Sequence, residues 1–275
     1  MLESLTVFFE AWELFREPTL AGAFAGLALG SLGVWIVLRR LVFLSATLSQ
    51  VAGLGVASTV VMGTAVSLAV PPLLGAVVLT LGVAFLLASR ERDGDAWLGG
   101  AYLASTAGTL ILAGYSGQEL HDIDVLLFGS AVAVLPEQFR VIVIICAVAM
   151  VFQVWWHRGF AAVTVDRVDA RVRGLPVRTI DAVLVGSAAV VVATTTWALG
   201  ALPAFAFSVL PGLAALALRL RLRATVAVAG VIGLLSGGGG YVLAFLLDWP
   251  VGPAQTALAC AFVLMCGALR VSVLR

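Results

Sequence analysis

Potential metal ligands cluster in one place in this sequence, the run His121-Asp122-Ile123-Asp124. Imidazole together with carboxylates suits zinc, and carboxylates alone suit manganese less selectively. We therefore predict that His121, Asp122 and Asp124 receive a divalent cation in an outer loop. An ordinary polar loop is the alternative, because three such residues in a row specify no coordination geometry.

The longest break in an otherwise apolar chain is the stretch 157–178, which carries five arginines and two aspartates. Asp166 can cap a short helix there, because a carboxylate at that position accepts hydrogen bonds from the first free N–H groups. Gly174 can end the same helix in the left-handed conformation. We predict a cytosolic docking element between two membrane-embedded halves. A loop that is merely positively charged is the alternative.

The composition predicts that transmembrane helices position the metal ligands and the docking element. The chain is 62% hydrophobic and 11% charged, with a mean hydropathy of +1.12, whereas a soluble domain carries about 25% charged residues. Apolar runs near the roughly 20 residues that a helix needs to cross a bilayer recur throughout. We predict an all-α transmembrane bundle that forms one domain, 1–275, with no soluble domain.

Nine membrane spans are predicted, and the arginines orient them. The spans are 18–38, 50–68, 72–89, 97–115, 138–157, 180–200, 202–219, 225–246 and 252–270. If the amino terminus lies outside, every one of the 16 arginines except Arg16 and Arg140 falls on the inner side. This bias predicts an outer amino terminus and an inner carboxyl terminus.

Two helices contain residues that weaken helical structure. Pro203 and Pro211 free backbone carbonyls in the seventh span, and such groups are tolerated at membrane depth where they line a cavity. A simple kink is the alternative. The run Ser236–Gly240 contains four glycines, which either pack closely against a neighbour or form a hinge. The sequence leaves both questions open.

Several classes of function are excluded or disfavoured. The chain has no lysine, so it has no phosphate-binding loop of the Gly-x4-Gly-Lys type for ATP. Cys146, Cys260 and Cys266 lie in apolar spans and are interpreted as small hydrophobic residues. An intramembrane hydrolase that used Ser130 and His157 is disfavoured, because the predicted topology puts these residues on opposite sides of the membrane. We expect no nucleic-acid partner and no covalently bound cofactor.

Five ordered segments carry a family pattern. They are Arg39-Arg40 with Phe43, Leu48-Ser49 and Gly55; Leu127-Phe128-Gly129; Asp166, Ala170, Arg171, Gly174 and Leu175; Gly200 with Pro211 and Ala215; and Tyr241 with 248–253. Together they resemble the membrane permeases of bacterial ABC importers for zinc, manganese and iron. In the third segment, Arg167 and Val168 replace the family's Pro and Glu.

The resemblance implies a transport function and a set of partners. It implies a multi-pass permease of the bacterial inner membrane, surrounded by lipid, that does no covalent chemistry itself. Its partners would be a second copy of itself, two copies of an ATP-binding subunit and an extracytoplasmic metal-binding protein. The third segment, with Asp166, Ala170, Arg171, Gly174 and Leu175, would dock into the ATPase.

The family's metal-binding pair is missing from this chain. The family has an aspartate and a histidine four residues apart where this sequence has Ala46 and Gln50. Alanine cannot bind a metal, and a neutral amide is a poor zinc ligand. We expect a weak path along Ser49, Gln50 and Pro211, to which Thr59 and 194–196 contribute hydroxyls. Zinc is the expected cargo; the alternatives are manganese, iron or a non-metal substrate.

Overall fold

The computed structural model describes residues 8, 12–66, 71–88, 94–115 and 134–273, and within these ranges the chain is helical with no strand. The helices are α1 (Trp12–Leu38), α2 (Val42–Val66), α3 (Pro72–Ala88), α4 (Gly94–Tyr115), α5 (Pro136–Val165), α6 (Arg167–Val172), α7 (Val177–Leu199), α8 (Ala201–Ala217), α9 (Leu222–Leu247) and α10 (Val251–Val273). The all-α class predicted from the sequence is confirmed for this part of the chain.

Each of the nine predicted spans coincides with one of these helices. In the described ranges, seven helices are long and apolar enough to cross a membrane by length and composition. The apolar helices Pro72–Leu87 and Ala201–Ala217 are shorter. At about 1.5 Å per residue they reach about 25 Å, less than the roughly 30 Å of a hydrocarbon core. A multi-pass bundle is confirmed, and nine crossings and the orientation stay predictions.

Several boundaries differ from the sequence prediction. Helix α1 begins at Trp12 and not at 18, and α2 begins at Val42 and not at 50. The fifth span was expected to end at 157, but α5 continues to Val165. Phe160 and Val163 are buried in the core, so one face of this last part packs against the bundle and keeps it helical. The predicted loop 157–178 therefore begins with helix. The seventh span is not broken at its prolines: α8 runs through Pro203 and Pro211.

Helix α1 lies at the centre of the bundle, in contact with α5, α8 and α9. Glycines on α1 bring its backbone directly against that of α9. A Cβ added at Gly30 would lie 2.5 Å from the carbonyl oxygen of Ala229, and one at Gly22 would lie 2.9 Å from that of Gly237. The glycine-rich part of α9 is thus explained by close packing, since small residues let backbones approach in lipid.

Similar contacts join two other helix pairs. A Cβ at Gly33 would lie 2.7 Å from the carbonyl oxygen of Ser208 on α8. A Cβ at Gly55 on α2 would lie 2.5 Å from the carbonyl oxygen of Gly75 on α3. Gly55 belongs to the first family segment, and this contact gives a structural reason for a glycine there.

Replacing Gly233 by alanine tests the backbone contact. Each Gly→Ala change inside a helix gains about 1 kcal/mol of helix propensity, but the new methyl at 233 would collide with the carbonyl of Gly26 on α1. We expect Gly233→Ala to lower the melting temperature of the purified protein by several degrees. Gly267→Ala is the control, because its Cβ meets nothing within 4 Å. Equal melting temperatures for the two variants would contradict the packing interpretation.

Candidate functional site

Helix α6 begins at a carboxylate cap. Asp166 Oδ1 accepts hydrogen bonds from the backbone N–H of Val168 at 2.7 Å and of Asp169 at 3.0 Å. The N–H of Asp169 and that of Val168 hold the pKa of the Asp166 carboxyl below its usual value. The ionised cap is therefore complete at neutral pH, and it is lost only as the pH falls through this lowered pKa.

A left-handed glycine ends the same helix. Gly174 has φ of 77°, and its N–H donates to the Arg171 carbonyl at 3.0 Å. The next N–H, that of Leu175, donates to the Ala170 carbonyl at 3.0 Å. This pair of bonds is a Schellman motif. Ala170 is buried, and Leu175 packs against the core. The predicted cap and end are both present, whereas the role in coupling stays a prediction.

The other face of α6 is open. Val168 and Val172, one helical turn apart, are 71% and 82% exposed. Arg173 pairs with Asp169 at 2.7 Å on the surface. Apolar side chains at positions i and i+4 share one helix face. The short helix thus presents two exposed valines among charged side chains.

A charge cluster attaches α6 to the bundle. Asp181, near the start of α7, accepts from Arg39 Nη1 at 2.6 Å through one carboxylate oxygen and from Arg167 through the other. Arg39 follows α1, and it also donates to Thr164 Oγ1 at 2.8 Å and to the Phe160 carbonyl at 3.2 Å. The cluster of Arg39, Asp181 and Arg167 therefore joins the ends of α1 and α5 to the starts of α6 and α7.

Burial makes this cluster more than a surface ion pair. The Arg39 side chain is 11% exposed, and that of Asp181 is 22% exposed. Burial lowers the pKa of the Arg39 guanidinium, and Asp181 opposes that shift. Arg39 belongs to a family segment in the sequence, whereas Asp181 was not predicted to have a role. Because 142 residues separate the partners, only the prediction that both lie on the inner side could have suggested the pair.

The segment that replaces the family's metal pair lies near the start of α2. Ala46 is buried, and Gln50 is partly buried. The Gln50 Oε1 accepts from Thr106 Oγ1 of α4 at 3.3 Å. Ser49 donates to the Ala46 carbonyl of its own helix at 2.8 Å. In this arrangement the polar groups of the segment bond to helices of the same chain.

Pro211 is connected to this segment through a pair of hydroxyls. The Oγ atoms of Ser45 on α2 and Ser208 on α8 lie 2.5 Å apart in the buried interior. Ser208 precedes Pro211 by one helical turn and also donates to the Phe205 carbonyl at 2.7 Å. The structure thus brings the start of α2 against the proline-containing part of α8. Whether Ser49, Gln50 and Pro211 line a path stays a prediction.

The other hydroxyls proposed for the path fall into two groups. Thr59 and Thr194 donate to carbonyls of their own helices at 2.8 Å. In the described residues, the buried Oγ1 atoms of Thr195 and Thr196 have no hydrogen-bond partner. Thr59 and Thr194 therefore donate their hydroxyl hydrogen bonds within their own helices. Thr195 and Thr196, near the end of α7, each have a hydroxyl group without a hydrogen-bond partner among the described residues.

No three histidine, cysteine, aspartate or glutamate side chains come together to hold a metal in the part of the chain that the structure describes. The predicted outer ligands His121, Asp122 and Asp124 lie outside the described residues. So does the family segment 127–129. His157 packs edge-on against Trp35 with ring centroids 5.4 Å apart.

The apolar helices of the described ranges define a multi-pass integral membrane protein. The model of the ABC 3 transport family matches residues 11–270, and the chain belongs to that family. The predicted resemblance is thereby confirmed, and with it a place in the bacterial inner membrane.

Individual relatives are distant in sequence but cover most of the chain. The chain is 23% identical over 270 residues to the manganese transport system membrane protein MntC of Halalkalibacterium halodurans, covering 95% of this chain and 91% of that protein. It is 23% identical over 233 residues to a membrane protein of the ycf23-apcF intergenic region of Cyanophora paradoxa, covering 84% and 77%. The structure of PsaBC from Streptococcus pneumoniae in complex with Fab has the same fold, with a TM-score of 0.85 at 18% identity over 97% of this chain and 95% of that one.

Limited trypsin digestion tests the role of Asp181 in positioning α6. Asp181→Asn removes a charge-assisted partner of Arg39 and Arg167, a loss of about 2 kcal/mol, so α6 detaches more often. We expect cleavage at Arg171 and Arg173 to become several-fold faster in the purified protein. Asp169→Asn is the matched control, since it removes only the exposed pair with Arg173. If both variants were cut at the wild-type rate, Asp181 would have no such role.

Proposed function

We propose that this chain is the permease subunit of an ATP-driven importer that moves a divalent transition-metal ion across the membrane by alternating access. Two copies of the chain would form the path. Two ATP-binding subunits would supply the energy, and an extracytoplasmic protein would deliver the metal. The permease itself would perform no covalent chemistry, in keeping with the lack of a lysine for a phosphate-binding loop.

The observation that carries this proposal is the capped helix α6 in a chain of this family. Its two ends are fixed by Asp166 and Gly174, its inner face is buried through Ala170, and its outer face exposes Val168 and Val172. A short rigid helix that is held by the bundle yet open on one side can transmit force from a separate subunit. The exposed arginines around it favour an acidic rim on that subunit.

Zinc is the cargo that we propose first, and His121, Asp122 and Asp124 are its proposed receiving ligands. Manganese is the second candidate, and two observations favour it. The relative MntC is described as a manganese transport protein. The polar groups near Ala46, the Ser49 hydroxyl and the Gln50 amide, offer oxygen atoms as metal ligands. Oxygen ligands suit manganese better than zinc.

Metal uptake by the reconstituted transporter tests the function and the outer ligands together. Proteoliposomes would contain this chain with its ATP-binding subunit and binding protein. We expect ATP-dependent uptake of radioactive zinc, with manganese as the competing ion. Replacing His121 and Asp124 together by alanine should lower the rate about tenfold, as loss of metal-site groups commonly does. Glu119→Gln, in the same stretch, should keep the wild-type rate.

Each result has a distinct meaning. Uptake of manganese in preference to zinc would replace the first cargo by the second. Uptake that is unchanged by the double substitution would remove the outer ligands from the proposal. Hydrolysis of ATP with no uptake of either metal would contradict metal transport and direct the search to non-metal substrates.

A further inference from the structure

A groove of about 540 Å³ opens on the side of the bundle between α5 and α9, with α1 as its floor. Both helices pack along α1, but they scarcely contact each other. The lining of the groove is mostly apolar, and all three helices contribute to it. The apolar lining residues are Leu27, Met150, Val154, Val226, Ala227 and Gly230.

The rim of the groove is basic. Arg158 on α5 and Arg223 on α9 line its two sides, next to His157. In the described residues, neither arginine forms an ion pair. Trp155, also in the lining, is 82% exposed, and tryptophan is enriched at the level of lipid headgroups. Two uncompensated positive charges therefore face the mouth of an otherwise apolar groove.

A buried amide lies in the wall beside α1. Gln153 is 5% exposed. Its Nε2 donates to Ser31 Oγ at 3.1 Å and to the Ala28 carbonyl at 3.4 Å, whereas its Oε1 is buried with no partner among the described residues. An unsatisfied buried acceptor costs about 1–3 kcal/mol.

The depth of the groove matches one leaflet of a bilayer. From Arg158 to Met150 the lining covers about 12 Å of helix, and from Arg223 to Gly230 about 11 Å, at about 1.5 Å per residue. One half of a hydrocarbon core is about 15 Å thick. An acyl chain that entered from the rim would thus stay in contact with the apolar lining through most of its leaflet.

We propose that this groove binds an anionic phospholipid, with its phosphate between Arg158 and Arg223 and an acyl chain along α1. The predicted topology places this rim at the inner leaflet, where anionic lipids attract basic groups. The charge pattern favours a lipid over a second copy of this chain. In the described ranges, exposed carboxylates include Glu13, Glu137, Asp166, Asp169 and Asp248; these lie at helix ends or in the short helix α6, not along a membrane-spanning face.

Retention of lipid by the full-length protein tests this inference. The purified chain, exchanged into equal amounts of phosphatidylglycerol and phosphatidylcholine, would be analysed by native mass spectrometry. We expect phosphatidylglycerol to be retained at least about tenfold more than phosphatidylcholine. Replacing Arg158 and Arg223 together by glutamine should abolish this preference. The matched control replaces Arg178 and Arg270 by glutamine, which removes the same charge from exposed positions outside the groove.

A second variant separates a built site from simple charge attraction. Ala227→Trp fills the apolar part of the groove and leaves both arginines in place, so it should also lower phosphatidylglycerol retention. Glycerol phosphate without acyl chains should not displace the bound lipid. Equal retention of the two lipids by wild-type protein would overturn the proposal. So would a loss of preference in the control, or a loss of self-association in the Arg158/Arg223 variant with lipid retention unchanged.

Discussion

The bundle depends on the direct contact between the backbones of α1 and α9. At Gly22, Gly26 and Gly30 on α1, no space remains for even a methyl group before the carbonyls of α9. In lipid, where apolar side chains gain little by leaving the solvent, such close packing is a principal source of attraction between helices. The same contact explains why α9 remains one continuous helix across its glycine-rich run. Substitution of these glycines must move a backbone, because a carbonyl oxygen of α9 would lie within 3.0 Å of each added Cβ.

Helix α1 also connects the two parts of the chain that bear on transport. At its carboxyl end, Arg39 pairs with Asp181 of α7, which also pairs with Arg167 of α6. Along its length, Gly33 contacts the backbone of α8 at Ser208, and Ser208 in turn meets Ser45 at the start of α2. Contacts therefore run without a gap from the exposed face of α6 to the segment that replaces the family's metal pair. In the proposed transporter, this continuity would let a movement of α6 reach the proposed path.

Much of the fold follows from the sequence, because apolar runs of sufficient length specify helices regardless of what they pack against. The caps of α6 were predictable for the same reason: Asp166 and Gly174 act on their own backbone neighbours. Other features depend on distant residues and were not predictable. The continuation of α5 to Val165 depends on what Phe160 packs against. Likewise, the partner of Arg39 follows it by 142 residues. The sequence left open whether the prolines interrupt their helix, and the chain breaks instead between α7 and α8 at Gly200, where φ is 99°.

The central functional claim is that α6 transmits the work of a separate ATPase, and Gly174 tests it most directly. Proline at this position cannot adopt the φ of 77° or donate the bond to Arg171, whereas asparagine tolerates the left-handed conformation. The measurement is metal uptake per ATP hydrolysed in proteoliposomes. We predict that Gly174→Pro folds with a melting temperature near that of the wild type but loses coupled uptake, and that Gly174→Asn keeps it. Normal coupling in Gly174→Pro would contradict the account.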